Sequence, residues 1–375
     1  MGADVPHDMQ QNRQCLFETT PSFLFVYRAI KSCQLFFIKI VLYNLSAKFH
    51  PSQGLMNGEP MDSYEITANA KINLFLRVCG ILPNGYHSLY SVMQEIDLAD
   101  SLTVNIYPER EEGFEIRCIG RDDIDPDKNL CKKARDRFFS SLRKKASADP
   151  SLYNAALRKN GFPYIEMILT KRIPSESGMG GGSSDAAAVL MVLQEHFGNP
   201  FTDEELNQLA VNVGADVPFF LFGGTCLCER VGEDIKVLRS LAGIPLLIVK
   251  PSMGVSTPEC FHAIDCKPLP EFDHARYSAY IDSLNGSDKG PLARFLEGGD
   301  LLTNDLEAPS FEMLPGISDI RDALLETGAA YSRMTGSGSA VFAMYEDEKV
   351  RDAAYEKISG DPAFSDCDVF VCATI

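Results

Sequence analysis

A strand pattern starts at residue 64 and runs to 76, returns over 102–107, and brackets the turn-forming Pro83-Asn84-Gly85. Residues 121–163 are polar and helical in pattern, and the strand pattern resumes over 164–170. The basic runs Lys132-Lys133 and Arg143-Lys144-Lys145 read as solvated helix faces, because clustered like charges repel and favour water. Residues 184–197 are apolar on most sides and stop at Gly198, which predicts a buried helix closed by a glycine. Thr202 and Glu205 have the spacing of a capping box, Leu206, Leu209 and Val213 supply the apolar stripe behind it, and Gly214 ends that helix, so Asp216 emerges at its exit. Further on, residues 246–249 read as a short buried strand, 318–327 as a helix ending at Gly328, and two hairpin-like strands and a helix follow. Strands and helices mixed in both halves predict an α+β protein of two domains, divided near residue 240.

The first 60 residues differ from the rest. Residues 23–45 are apolar and aromatic, but Arg28, Lys31, Gln34 and Lys39 interrupt them. A central cation costs about 2.5 to 3.5 kcal/mol on an insertion scale, so stable membrane insertion is not expected. No signal-peptide cleavage pattern is present, and Met1-Gly2-Ala3-Asp4-Val5-Pro6 lacks the Ser or Thr that a myristoylation signal requires at its sixth position. The stretch is expected to be an extension, disordered or non-native, upstream of a start near Met56 or Met61.

Fifty-two acidic against 35 basic side chains give a formal charge of −17, which disfavours nucleic acid as a partner without forbidding a nucleotide held by backbone amides. The 11 cysteines form no C-x-x-C pair, and Cys226 and Cys228 are too closely spaced for a structural zinc site. They read as small buried hydrophobes of a protein in a reducing cytoplasm.

The strongest chemical signal is the run from Ile173 to Ala186, in which Gly178, Gly180, Gly181 and Gly182 lie between a strand and a helix expected to begin near Ser184. Glycines let bare N–H groups approach an anion, and the helix start adds a partial positive charge of about +0.5. The spacing is neither a Walker A motif nor the Rossmann fingerprint.

This loop resembles the second motif of the GHMP kinases, and three other segments stand in that superfamily's order around it, over about residues 63–375. Ala70-Lys71-Ile72-Asn73-Leu74 with Asn84-Gly85-Tyr86-His87, and Gly214-Ala215-Asp216-Val217-Pro218, are similar to a branch acting on an alcohol that carries a cytidine diphosphate. Arg333-Met334-Thr335-Gly336-Ser337-Gly338-Ser339 resembles the third glycine-rich motif.

The resemblance implies an N-terminal domain over 61–240 similar to ribosomal protein S5 domain 2 and a ferredoxin-like C-terminal domain over 241–375, with the site in the cleft. It implies Asp216 as the base for the substrate hydroxyl and Lys71 beside it. Pro174, Ser177, Gly178, Met179, Gly180, Gly181, Gly182, Ser183 and Ser184 would hold ATP, with Asn129 near the adenine. Asn73, Tyr86, His87, Thr257, Pro258 and Phe261, with Gly336, Ser337 and Gly338, would contact the substrate. In that reading Tyr86 stacks on the cytosine, His87 hydrogen-bonds its edge and Phe261 gives the stack a second face. Mg²⁺ would accompany the triphosphate, with Ser184 its only candidate ligand. Glu176 and the long segment 141–162 depart from the pattern. The rival readings are a GHMP kinase of the homoserine or mevalonate type, and a catalytically silent nucleotide-binding protein on the same fold.

Overall fold

The computed structural model describes residues 62–375, apart from 84, 121–124, 126–127, 149–160 and 270. The N-terminal extension and much of the long segment before the glycine loop therefore lie outside the described residues.

Two long antiparallel strands, β1 (Asp62–Ile81) and β2 (His87–Tyr107), form the spine of the first sheet. The far half of β2 pairs with β4 (Tyr164–Thr170), its near half pairs with β5 (Thr225–Arg230), and β3 (Phe114–Ile119) and β6 (Asp234–Val237) complete the sheet. β3 and β4 are parallel and joined through helix α1 (Leu130–Ala148). Phe138, Phe139 and Leu142 of α1 face in and Arg143 and Lys144 are exposed, whereas Lys132 is half-buried, Lys133 Nζ donates to Val213 O at 2.7 Å and Lys145 Nζ to Glu205 Oε2 at 2.6 Å, so the basic runs are only partly a solvated face.

The burial pattern of β1 changes along its length. Up to Ala70 it alternates, with Ile66, Ala68 and Ala70 buried and Glu65 and Thr67 exposed. From Lys71 to Leu76 every residue is buried, because the strand has passed between two cores. Bulges at Asn69/Lys71 and Asn73/Phe75 interrupt the register here. A bulge re-aims side chains and often lies beside a site, and these two bracket Lys71 and Asn73.

Against this sheet pack α2 (Gly181–His196), α3 (Asp203–Val213) and the short α4 (Val217–Phe222). Helix α2 is buried from Ser184 to Gln194 except at the half-buried Met191, and it begins at Gly181, three residues before the expected start near Ser184. The Thr202–Glu205 capping box forms in both directions, with Leu206, Leu209 and Val213 beneath it.

The second sheet has the order β10 (Cys367–Ala373), β7 (Pro245–Pro251), β9 (Val341–Met344), β8 (Tyr331–Met334), all antiparallel. Numbered from β7, that is 4-1-3-2. Helices α5 (Thr257–Asp265), α6 (His274–Gly286), α7 (Pro291–Leu296), α8 (Glu307–Met313) and α9 (Gly316–Leu325) separate β7 from β8, and α10 (Glu348–Ser359) precedes β10. The arrangement is the ferredoxin-like split βαβ. One apolar cluster unites the sheets: Ala70, Ile72, Leu74, Phe75 and Tyr90 from the first pack with Leu246, Ile248, Phe342 and Met344 from the second. Among the described residues no helix is long and apolar enough to cross a membrane.

Candidate active site

Lys71 is 3% exposed, yet its ammonium has two oxygen partners: Asn73 Oδ1 at 2.6 Å and Asp216 Oδ2 at 3.6 Å. Asp216 occupies the N-cap position of α4 but makes no capping bond to it. An aspartate serving only as a turn or cap residue would direct its oxygens to the backbone amides that follow. This one, a third exposed, faces the buried lysine and the solvent side of the cleft. A buried cation against a partly open carboxylate is an arrangement that can take a proton from an approaching hydroxyl and steady the charge that develops.

The glycine loop wraps over this pair. The amide of Lys71 donates to Met179 O at 3.0 Å, tying strand to loop. Gly180 has a positive φ of 71°, and a Cβ there would lie 2.9 Å from Phe220 Cζ and 3.3 Å from Lys71 Cε. Only glycine lets the loop cross so close to the lysine stem. Ser177 is buried, donates to Pro174 O at 2.7 Å and accepts from the amide of Met179, so its hydroxyl shapes the turn.

Gly180 is the left-handed N-cap of α2. The amides of Gly181, Gly182 and Ser183 form the first turn, whose donors no helix satisfies internally, while Ser184 N already bonds Gly180 O. Met179 and Ser184 are buried, Ser183 is half-buried and Gly182 lies open. The carbonyls of Glu176, Ser177, Gly178 and Met179 accept bonds from Ser339 N, Ala340 N, Thr335 Oγ1 and Lys71 N. With its acceptors engaged by protein, the loop keeps donors for an anion.

Beneath the start of α2 lies a group absent from the sequence reading. Lys171 Nζ contacts Asp100 Oδ2 and, at 2.8 Å, Asp185 Oδ2, all three being buried or nearly so. Asp100 Oδ1 also takes the amides of Arg172 and Ile173, fixing the entry to the loop. Burial lowers the pKa of Lys171, but the two carboxylates outweigh it and raise the value overall. Burial pushes Asp185 up to about 7, with Lys171 opposing. Asp185 Oδ1 has no hydrogen-bond partner. Buried polar side chains paired across distant segments leave no periodic trace in a sequence; the nearest signal is Asp185 inside the glycine run.

Asn73, expected at the substrate, is 1% exposed, and its amide group bonds Lys71 Nζ and, at 2.9 Å, Ser91 Oγ. It orients the lysine. Asn129 accepts from Cys131 N at 2.9 Å at the start of α1, while Leu130 beside it faces Gly182 and Gly214. In the third glycine loop, Gly338 N bonds Thr335 O and Ser339 N bonds Glu176 O, so Gly336 and Ser337 retain amides without an acceptor among the described residues. Thr257 Oγ1 lies 2.6 Å from Ser337 Oγ and joins α5 to that loop, with Pro258 following in the first turn of α5. Tyr86 is 61% exposed. Phe261 stacks on His87, with ring centroids 4.5 Å apart, and His87 Nε2 is 2.7 Å from Asp265 Oδ1. The resemblance puts Phe261 on the far side of a base from Tyr86; its ring partner in this structure is His87.

Among the described residues no three His, Cys, Asp or Glu side chains cluster as a metal cage, and Asp185 is engaged with Lys171.

A buried lysine paired to an open aspartate, under a glycine turn that starts a buried helix, defines the site of a GHMP kinase. Two family models match in that order: "GHMP kinases N terminal domain" over residues 146–224 and "GHMP kinases C terminal" over 284–361. A protein of Desulfitobacterium hafniense (strain Y51) named 4-diphosphocytidyl-2-C-methyl-D-erythritol kinase is 36% identical over 286 residues, covering 76% of this chain and 88% of the relative. A crystal structure of 4-(cytidine 5'-diphospho)-2C-methyl-D-erythritol kinase superposes with a TM-score of 0.60 at 28% identity, covering 83% of this chain and 98% of that one. The homoserine kinase of Cytophaga hutchinsonii, at 19% identity and a TM-score of 0.59, covering 86% of this chain and 97% of its own, shares the fold alone. The chain belongs to the 4-diphosphocytidyl-2-C-methyl-D-erythritol kinase family of the GHMP kinases. The sheet built on β1 and β2 with its helices is the S5 domain 2-like part of that fold, and the sheet of β10, β7, β9 and β8 with its helices is the ferredoxin-like part.

Proposed function

We propose that this chain transfers the γ-phosphate of ATP to the 2-hydroxyl of 4-diphosphocytidyl-2-C-methyl-D-erythritol. The products are ADP and the 2-phosphate, on the methylerythritol phosphate route to isopentenyl diphosphate in the cytoplasm. The observation that carries the reading is the 3.6 Å pair of Lys71 and Asp216 beside the glycine turn. Asp216 accepts the hydroxyl proton as the new O–P bond forms, and Lys71 favours the alkoxide character of the attacking oxygen. The amides from Gly180 to Ser183 hold the nucleotide phosphates, Asn129 and Leu130 lie toward the adenine, and Gly336 and Ser337 approach the substrate diphosphate. Tyr86, His87 and Phe261 take the cytosine. Bound Mg²⁺ neutralises charge on the triphosphate, with Ser184 as the protein oxygen nearest in role. The boundary between the two domains is placed near residue 240, so that 61–240 carries the nucleotide and 241–375 closes the substrate side.

The test is a panel of alcohols with and without a cytidine diphosphate group, incubated with ATP, Mg²⁺ and either the wild type or Asp216→Ala. Transfer is expected only to the cytidine-bearing alcohol, with a rate at least ~10²-fold lower in the variant, the low end for one acid–base group. Equal rates in the two proteins would remove Asp216 from its role, and transfer to homoserine or mevalonate instead would overturn the substrate.

A further inference from the structure

Asn304 lies between α7 and α8, in a stretch that bonds β1 on both sides of it: Leu76 N donates to Thr303 O at 2.8 Å and Asp305 N to Leu76 O at 2.9 Å. Its side chain is 5% exposed and reaches the third glycine loop. Nδ2 donates to Met334 O at 2.9 Å and to Gly336 O at 2.8 Å, while Oδ1 accepts from Leu306 N at 3.0 Å. Turning the amide over would set oxygen against oxygen, so these partners fix its orientation.

The acceptors of the loop are then all engaged. Thr335 O accepts from Gly338 N at 2.9 Å and Ser337 O from Ser310 Oγ at 3.0 Å, which with the two bonds from Asn304 occupies every carbonyl from Met334 to Ser337. Two donors stay unused: Gly336 and Ser337 are buried, yet their amides have no acceptor among the described residues. Buried N–H groups are paired in nearly all native structures, so two unpaired ones in one loop mark a place for an acceptor from outside the chain.

One peptide unit links the two observations. The Gly336–Ser337 peptide is trans, and in a trans peptide the C=O and the following N–H point in opposite directions. The bond that draws Gly336 O to Asn304 therefore turns Ser337 N–H away from it. Gly336 has a positive φ of 57°, and a Cβ there would lie 3.2 Å from Gly178 O and 3.5 Å from Asn73 Oδ1, the oxygen that holds the Lys71 ammonium. The unpartnered amides thus stand close to the Lys71 centre.

We propose that Asn304 is a positioning residue for the substrate diphosphate: by holding Gly336 O it sets the plane of the Gly336–Ser337 peptide, so that Ser337 N–H faces the phosphate oxygens. Without that bond, glycine at 336 lets the peptide turn over and present its carbonyl, which repels a phosphate where an N–H attracts it. The inference rests on the reading above that this loop approaches the diphosphate. It assigns the orientation of the loop to a side chain outside the glycine motifs.

The experiment measures equilibrium binding of CDP and of cytidine to wild type, Asn304→Ala, Asn304→Asp and Ser310→Ala, with urea midpoints of the four proteins as the measure of folding. The ratio of the two affinities isolates the diphosphate. It is expected to fall roughly 10-fold or more in both Asn304 variants, the scale of one hydrogen bond to a charged group. KM for the cytidine-bearing alcohol is expected to rise in step, with KM for ATP unchanged within a few-fold. Asp keeps the shape of Asn but, ionised, has no donor for either carbonyl. Ser310→Ala loosens the same loop at Ser337 O, but the N–H of that peptide belongs to Gly338 and is already bonded to Thr335 O, so its ratio is expected to match the wild type. A ratio unchanged in both Asn304 variants, or lowered as far in Ser310→Ala, overturns the proposal. In the wild type, ¹⁵N-resolved spectra are expected to show the Ser337 amide proton moving downfield with CDP and not with cytidine; an unmoved signal overturns the proposal even where the variants do not fold. A wild type that binds CDP no better than cytidine overturns the diphosphate reading of the loop, and the role of Asn304 with it.

Discussion

Replacing Gly178 by alanine tests whether the two glycine loops are held together as the structure indicates. Gly178 has φ of 73°, and an added Cβ would lie 2.0 Å from Thr335 O, 2.9 Å from Thr335 C and 3.3 Å from Gly338 N. Both obstructing groups are backbone, so no rotamer relieves the overlap and the loops must separate. Separation breaks up to three bonds: Thr335 Oγ1 to Gly178 O, Ser339 N to Glu176 O and Ala340 N to Ser177 O. At about 0.5 to 1.5 kcal/mol each, with a further ~1 to 2 kcal/mol for an L-residue in the left-handed region, the expected loss with all three broken is about 2.5 to 6.5 kcal/mol. Gly182→Ala is the internal control, because its Cβ would meet only Leu130 Cδ1, at 3.8 Å, in the first turn of α2. Alanine there is expected to leave stability unchanged or raise it by about 0.5 to 1 kcal/mol. Urea unfolding of the three proteins with a common slope gives the comparison. A midpoint for Gly178→Ala equal to that of the wild type would refute the close approach of the loops.

Lys71→Met keeps the length of the side chain and removes its charge; a fall in kcat of ~10² or more is expected, with little change in KM for ATP, and single-turnover measurements check it. A kcat within a few-fold of wild type would exclude a charge-stabilising role. Asp185 holds its proton in the folded protein up to about pH 7, against an ordinary value of 3.8. The folded state therefore binds more protons than the unfolded one across that window, and stability falls as pH rises from about 4 to 7. Asp185→Asn is expected to lose this slope and gain relative stability above pH 7, read from urea midpoints at a series of pH values; parallel curves for the two proteins would contradict it.

The elements that were legible in the sequence are those written in neighbouring residues. The Thr202–Glu205 box, the stripe of Leu206, Leu209 and Val213, and the strand at 164–170 all depend on local spacing, and each forms. The start of α2 was displaced to Ser184 because glycine is a poor helix former. Packing overrides that preference: a Cβ at Gly181 would meet Ile173 Cγ2 at 2.9 Å, so glycine is what lets the helix begin against the strand end. The pairing of Lys71 with Asp216 came from a resemblance, since nothing local links a mid-strand lysine to an aspartate between two helices. Lys171 with Asp100 and Asp185, and Asp265 with His87, went unread for the same reason: each joins distant segments through side-chain contacts that only the folded chain creates. The burial of Asn73 is not legible in its motif, because it depends on the second sheet closing over β1.

That closure has a mechanical consequence. Leu74 and Phe75 belong to a strand of the first sheet but lose their solvent contact to Ile248, Phe342 and Tyr277 of the second half. A fragment ending near residue 240 would present these side chains, with Ile72, to water along one edge of its longest hairpin. The halves that separate family models recognise are thus one cooperative unit, expected to melt in a single transition and to aggregate when expressed apart.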